Sequence, residues 1–305
     1  MMTFSIVTPH LNSGPWLPLC IESVADQQGV EVEHLIHDGG SSDGSLDELA
    51  ARPGLRVTIA KDGGMYDAIN RGLRAATGSL VAHLNADEQY LPGALAAVAA
   101  EFQKDPKLDV LLGYTVVVDA AGEFLCCRKS LKPLRLTRFT DNSTFTNAIF
   151  MRRSAVDRYG LYFDTTLRII SDAEWMLRCV TRPGLKMAVL RRYTSAFTET
   201  GANLDLTPGA FEESIEFTRR NPRWAKRLRP ALKVFARLRR LALGGYRQRP
   251  FGYEIFTLAD RSRRTRIEVL KPTCIWWTRA PRAAGSRYRW LKTMLGKVSG
   301  KRTSR

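Results

Sequence analysis

Cysteine is sparse in this chain and is nowhere set at metal-ligand spacing. Cys20, Cys126, Cys127, Cys179 and Cys274 are odd in number and include no C-x-x-C pair. That argues against a zinc site or a disulfide framework and fits a reducing compartment. No run of about 18 apolar residues occurs, so no membrane-spanning helix is expected. Residues 1–7 lack the basic start of a secretory leader, which makes the cytoplasm the expected location. No G-x-G-x-x-G follows the first apolar segment, and no G-x-x-x-x-G-K-S/T occurs anywhere, so a nucleotide would have to be held in some other way. Acidic residues are scarce in one region only. Residues 219–305 carry 26 Lys and Arg against Glu254, Asp260 and Glu268, a net of +23, whereas residues 1–218 sum to −6. The 305-residue chain reads as a mildly acidic body with a strongly basic tail.

Along the body, residues 4–7 read as a short buried strand closed by Thr8 and Pro9. Leu17, Cys20, Ile21 and Val24 recur at helical spacing, and a second strand over 32–37 follows. It runs into Asp38-Gly39-Gly40-Ser41-Ser42-Asp43-Gly44-Ser45, a turn with side chains and backbone N–H groups open to a ligand. Ser45 or Asp47 is a candidate cap for a helix beginning near Leu46. A third strand over 56–60 leads to Lys61-Asp62-Gly63-Gly64-Met65-Tyr66-Asp67-Ala68-Ile69-Asn70-Arg71-Gly72. Helical character over 68–76 predicts a C-cap at Gly78. The apolar Leu80, Val81, Ala82 and Leu84 then end in Asn85, Asp87 and Glu88. This β-α-β-α-β-α-β order predicts a parallel sheet with right-handed crossovers, its acidic and glycine-rich loops gathered along one edge. An alanine-rich helix is expected over 92–102 and a hairpin over 110–127. Asp172 and Glu174 precede Trp175, Met176 and Cys179; by themselves these acids suit a helix N-terminus, worth roughly 0.3–1 kcal/mol each.

The 38–45, 61–72 and 84–88 segments resemble, in order, the motifs of family 2 glycosyltransferases with the GT-A fold. The resemblance implies an α/β protein whose Rossmann-like GT-A sheet is mostly parallel, with helices on both faces, to which the charge pattern adds a basic helical C-terminal extension. Residues 1–218 would form the catalytic domain and 219–305 the extension. It implies inverting transfer of a sugar from a nucleotide-diphosphate sugar to a hydroxyl of a glycan or lipid-linked acceptor. In that family the first acidic loop approaches the base and ribose, and a D-x-D element binds the diphosphate through a divalent metal, Mg²⁺ or Mn²⁺. Asp38 then inherits the base contact and Asp87 the metal, while Thr8, Pro9, Ser41, Asp62, Tyr66, Asn70, Asn85 and Ala86 fall in the matching donor-binding segments. Asn85 stands where D-x-D has its first acid, so Asp87 would carry most of the metal binding, with Glu88 nearby. Asp172 matches the family's general base and Glu174 an acceptor ligand. Thr146-Asn147 stand where many relatives have His-Gln, Phe163-Asp164 resembles a common turn, and residues 197–203 resemble the loop that closes over the donor. The rival on a similar fold is a sugar-phosphate nucleotidyltransferase, but Thr8-Pro9-His10-Leu11-Asn12 lacks that enzyme's glycine-rich basic loop.

In the tail, Trp224, Leu228, Leu232, Phe235, Leu238 and Leu241 recur every three or four residues among Lys226, Arg227, Lys233, Arg237 and Arg240. Two helices broken at Pro230 are expected. Trp276, Trp277, Tyr288 and Trp290 stand among Arg279, Arg282, Arg287, Arg289 and Lys292. Packing on the body explains the periodicity and nucleic-acid binding explains the charge. Attraction to an anionic membrane surface explains both charge and tryptophans. Peripheral association with the inner face of the plasma membrane is therefore expected. No nucleic-acid partner is, for want of a recognised motif.

Overall fold

Strand β1 (Thr3–His10) lies inside the sheet, parallel to β2 (Glu31–Asp38) on one side and to β4 (Leu80–His83) on the other. The computed structural model describes residues 2–46, 54–137, 139–140, 144–204 and 207–275. The helix expected after Leu46 with its Asp47 cap, and the aromatic and basic stretch from Trp276 onward, lie outside those residues. α1 (Trp16–Ala25) joins β1 to β2, β3 (Leu55–Ile59) adds in parallel beyond β2, and α2 (Met65–Ala75) leads into β4. The expected parallel half-sheet is thus present, in the order β3-β2-β1-β4.

The second half continues the same sheet with mixed pairing. β5 (Glu88–Tyr90) begins directly after the acidic motif, and α3 (Ala94–Lys104) follows it. β6 (Val110–Asp119) and β7 (Phe124–Arg128) form the expected hairpin. Then come β8 (Ile149–Arg152), α4 (Arg153–Tyr159), α5 (Ser171–Thr181) and the long β9 (Met187–Glu199), which runs parallel to β6 and antiparallel to β5. The strand order is completed as β8-β6-β9-β5 after β4.

Side chains alternate across the sheet with the period of two that a strand imposes. Val7, Val81, Val110 and Leu112 join a core with Ile69 of α2, Val156 of α4 and Trp175 of α5. Phe4, Ile6, Leu80, Ala82 and Leu111 point the other way, onto Cys20 and Val24 of α1 and Phe102 of α3. Helices therefore cover both faces, which is why these strands read as nearly continuous apolar runs.

Past residue 219 the chain divides in two. α6 (Pro208–Arg219) leads to α7 (Arg223–Ala242), a single helix with Pro230 inside it, which corrects the expected break. Proline removes one backbone donor and crowds the preceding turn. Here the helix is held on both sides of it: Ala225, Leu232 and Ala236 are buried, and Arg239 and Arg240 donate to the carbonyls of Lys132 and Lys129 at 2.6 and 2.7 Å. The hairpin of β10 (Phe251–Ile255) and β11 (Thr265–Val269) returns to the body. Tyr253, Ile255 and Val269 pack on Leu91, Val116, Val118 and Ala196. Gln89 makes two hydrogen bonds to the backbone of Phe256, at 2.9 and 2.8 Å. No described helix is long and apolar enough to cross a membrane.

Two consequences for stability are measurable. Gly78 is not a C-cap: α2 ends at Ala75, and the glycine lies against β1, where an added Cβ would stand 2.6 Å from Ser5 N and 2.7 Å from the carbonyl carbon of Phe4. Gly78→Ala should destabilise the fold by about 1–3 kcal/mol. This should be read as a lower urea midpoint at unchanged m-value; an unchanged midpoint would show that β1 yields at no cost. Glu33 of β2 accepts hydrogen bonds from Ser5 Oγ, from Thr77 N and Oγ1 at 2.6 and 2.8 Å, and from Arg56 Nη1 at 3.0 Å. Burial raises its carboxyl, but these bonds outweigh burial and bring the pKa from a free glutamate's 4.5 down to about 2. With the folded value depressed, the stabilisation is full above 4.5 and is lost as pH falls through about 2. Glu33→Gln should lower the neutral-pH Tm and flatten its fall across that window, and an unaltered acid limb would remove Glu33 from the account.

Candidate active site

The strand ends in the parallel half are in register, His10 opposite Asp38, Asp38 opposite Ile59 and Val7 opposite His83. The loops that follow therefore leave from one edge. Asp38 is fully buried, and its carboxylate takes the N–H groups of Gly40 and Ser41 at 2.8 and 2.9 Å and the Ser41 hydroxyl at 2.5 Å. It closes its own loop. Gly39 then lies so near Asp62 that a Cβ would stand 2.9 Å from its Oδ2, which brings the first two acidic loops together. Asp62 accepts from Gly64 N at 2.8 Å, and Gly64 holds φ +119°, a conformation reserved for glycine. Asp67 accepts from Gly63 N at 2.9 Å and pairs with Arg71 at 2.7 Å. The Gly63 amide first, then Arg71, hold its carboxyl below the usual range against the opposing effect of burial. His10 sits 2.7 Å from Ser45 Oγ and 3.8 Å from Asp38; burial lowers its pKa despite Asp38 and Asp43.

Two of the expected donor residues face the interior. Thr8 turns its hydroxyl to His34 Nε2 at 2.8 Å, beside Cys20 and fully buried. Asn70 has both ends of its carboxamide taken up by the backbone of Phe163, each at 2.8 Å. Pro9 is likewise buried, at the end of β1.

At the end of β4, Asn85 N donates to Glu88 at 2.8 Å, and Glu88 is almost fully buried. Burial first, then the Asp87 charge, hold the Glu88 carboxyl well above the usual range, and Asn147 lies close enough to favour its charged form. Asn147 Oδ1 in turn accepts from Thr115 and Ser195 at 3.1 and 3.0 Å. Ala86 is buried, and Asp87 accepts from Asn203 Nδ2 at 3.2 Å. Asn203 also accepts from Thr200 N and donates to the Thr198 carbonyl, so residues 198–203 fold over the Asp87 end of β4. Among the described residues, no group of three or more His, Cys, Asp or Glu is gathered to hold a metal unaided. The donors at this strand end are oxygens: the Asp87 carboxylate and Asn85 Oδ1, which is buried without a hydrogen-bond partner. That set suits a hard cation that completes its shell with phosphate oxygens and water.

Asp172 lies in the first turn of α5, where the Tyr66 hydroxyl reaches it from α2. That hydroxyl donates to the Ile169 carbonyl at 2.9 Å and accepts from Asp172 N at 3.4 Å. Burial and then the Asp172 charge push the Tyr66 pKa up. Glu213 of α6 accepts from the N–H groups of Arg168, Ile169 and Ile170 at 2.7, 2.8 and 2.9 Å, fixing the approach to Asp172. Glu174 is held by Arg178 Nε at 2.8 and 2.9 Å, and Arg178 also donates to the carbonyls of Gly160 and Tyr162. The expected residues thus fall into three groups on the framework: Asp38, Ser41 and Asp62; Asn85, Asp87 and Glu88; Tyr66 and Asp172. Sequence reasoning gave no role to His10 or Glu213, neither of which belongs to a motif, and reached Asn203 only as the last residue of the 197–203 loop.

Residues 5–160 match the family model described as Glycosyl transferase family 2. A Mycobacterium tuberculosis protein described as a PGL/p-HBAD biosynthesis glycosyltransferase is 31% identical over 208 residues, covering 65% of this chain and 77% of the relative. The chondroitin synthase of Escherichia coli is 28% identical over 125 residues, 40% of this chain and 18% of that protein. Among solved structures, S. aureus TarS superposes with a TM-score of 0.54 at 19% identity over 71% of this chain and 39% of that one. TarS 1–349 in complex with UDP-GlcNAc gives 0.53 at 20% identity, covering 71% of this chain and 65% of that one. The structural likeness shows the fold alone. With the sequence match across the three motif segments and the sheet that positions them, the chain belongs to the family 2 glycosyltransferases.

Proposed function

We propose that the protein transfers a sugar from a nucleoside-diphosphate sugar to a hydroxyl of a glycan or lipid-linked acceptor, inverting the anomeric carbon. The observation that carries this reading is the Tyr66 bridge, which ties the backbone of Asp172 to the helix that follows the second acidic loop. A UDP-sugar is the first donor class to try, because TarS, of like fold, was captured with UDP-GlcNAc. Asp172 takes the proton of the acceptor hydroxyl as its oxygen attacks the anomeric carbon and the bond to the diphosphate breaks. A positioned carboxylate of this kind contributes about 10²- to 10⁴-fold. Asp38 shapes the loop that meets the base, its own carboxylate being engaged with Gly40 and Ser41. Asp87 and the free Asn85 Oδ1 would hold Mg²⁺ or Mn²⁺, which when bound supplies positive charge to the leaving diphosphate. Asn203, bonded to Asp87, ties the closing loop to the same point. Glu174, two residues on from Asp172 and held by Arg178, is assigned to the acceptor. The net of +23 past residue 219 suits an acceptor carried at an anionic membrane surface.

The two carboxylates should separate in kinetics. Asp172→Asn should lower kcat at least about a hundredfold with donor affinity nearly unchanged, since the proton acceptor alone is removed. Wild-type turnover in that variant would end its assignment as the base. Asp87→Ala should weaken donor binding in the presence of Mg²⁺ or Mn²⁺ and leave metal-free binding as it was, as read by calorimetry with UDP-sugars. Release of pyrophosphate from a nucleoside triphosphate and a sugar phosphate would overturn the transferase reading.

A further inference from the structure

Helix α7 carries a surface that sugar transfer does not use. Its 20 residues include Arg223, Lys226, Arg227, Arg229, Lys233, Arg237, Arg239 and Arg240, and no acid. At about 100° per residue the helix divides into three sectors. Ala225, Leu232 and Ala236 fall together and are buried. Next round are Arg229, Lys233, Arg237 and Arg240; burial, then the charges of Arg229 and Arg237, push the Lys233 pKa down. The third sector is apolar and open to solvent: Leu228 is 51%, Phe235 41% and Leu238 60% exposed, flanked by Trp224 and Leu241. A contiguous stripe of this kind marks an interaction surface.

Charge selects the occupant. A second copy of α7 would set eight cations against eight with no acid to pair them. Residues 276–305 are no better suited, with nine Lys and Arg and no Asp or Glu. Nucleic-acid single strands are gripped largely through aromatic stacking, whereas this stripe is mainly aliphatic. An apolar sector beside a basic one is the pattern of a helix lying in a membrane interface. We propose that α7 docks the protein on an anionic lipid bilayer, with Leu228, Phe235 and Leu238 entering the boundary between headgroups and acyl chains and the neighbouring basic sector facing the phosphates. The inference deepens the reading of a membrane-borne acceptor and rests on it for its purpose, but vesicle binding is measured without donor or acceptor. Failure of either is therefore seen separately.

The test is co-sedimentation of the full-length chain with vesicles of phosphatidylcholine, alone or mixed with phosphatidylserine, at low and high salt. Wild type should prefer the anionic vesicles, and the preference should fall with salt. Leu228→Asp/Leu238→Asp should reduce partition about tenfold or more, at an unchanged Tm because both side chains are already more than half exposed. Arg229→Gln/Arg237→Gln should remove most of the preference for anionic over neutral vesicles. Binding that survives both double variants would move the contact away from α7. Tight binding to single-stranded RNA that Leu228→Asp/Leu238→Asp abolishes, or a wild-type dimer that the same change dissociates, would overturn the lipid assignment.

Discussion

In the proposed mechanism Asp172 must stay where an acceptor hydroxyl can meet it, and the Tyr66 hydroxyl is the joint that holds its backbone. The phenol spans from α2 to the backbone at Ile169 and Asp172, while its ring stacks on Phe163 with centroids 5.1 Å apart. Phe163 is fixed in turn by Trp175 at 5.8 Å and by the Asn70 carboxamide on its backbone. A single hydrogen bond of this kind contributes about 0.5–1.5 kcal/mol net. Its effect on geometry is larger than its effect on stability, because Glu213 pins the same three-residue approach from the opposite side. Two helices far apart in sequence thus act as one mount.

The β4 end follows a different electrostatic logic. Glu88 is buried next to Asp87, and two adjacent carboxylates in low dielectric do not both ionise readily. The rise of the Glu88 pKa is the outcome of its burial and of the Asp87 charge beside it. An acid at position 85 would add a third carboxylate to the same strand end. Asparagine avoids that and still offers an oxygen, the buried Asn85 Oδ1. The departure from D-x-D is consistent with the carboxylate already present at position 88.

Much of this was legible in the sequence, and the misses share a cause. The parallel half-sheet announces itself through short apolar runs and punctuating loops, and α5 through acids followed by a one-face apolar pattern, because those signals are local. β5 and β9 were not legible: Glu88-Gln89-Tyr90 reads as loop, and becomes a strand only by pairing with residues 195–197. Gly78 read as a helix cap, since nothing nearby in sequence reveals that β1 lies against it. Pro230 read as a break because the contacts that carry α7 through it come from Lys129 and Lys132, about a hundred positions away. In the site, motif positions were found by their pattern, but what their atoms bond to was not. Thr8 and Asn70 belong to the expected donor-binding positions and turn inward; Glu213 stands outside every motif and holds the approach to Asp172.

The charge of the edge bears on how an anionic donor could be held at all. Asp38, Asp62 and Asp67 stand in its first two loops and Asp87 follows β4, while Arg71 is already paired with Asp67 at 2.7 Å. A diphosphate brought against such an edge meets repulsion that grows as water is excluded. Backbone N–H groups offset part of it, but those of Gly40, Ser41 and Gly64 are engaged with Asp38 and Asp62. The basic residues of α7 do not serve here either: their helix packs beside Lys129 and Lys132, on elements that carry none of the edge acids. The proposed divalent cation would supply positive charge there, with oxygen ligands from both protein and phosphate. That mismatch between acidic edge and anionic donor is the physical reason for proposing a divalent cation at Asp87, and it holds whatever sugar the diphosphate carries.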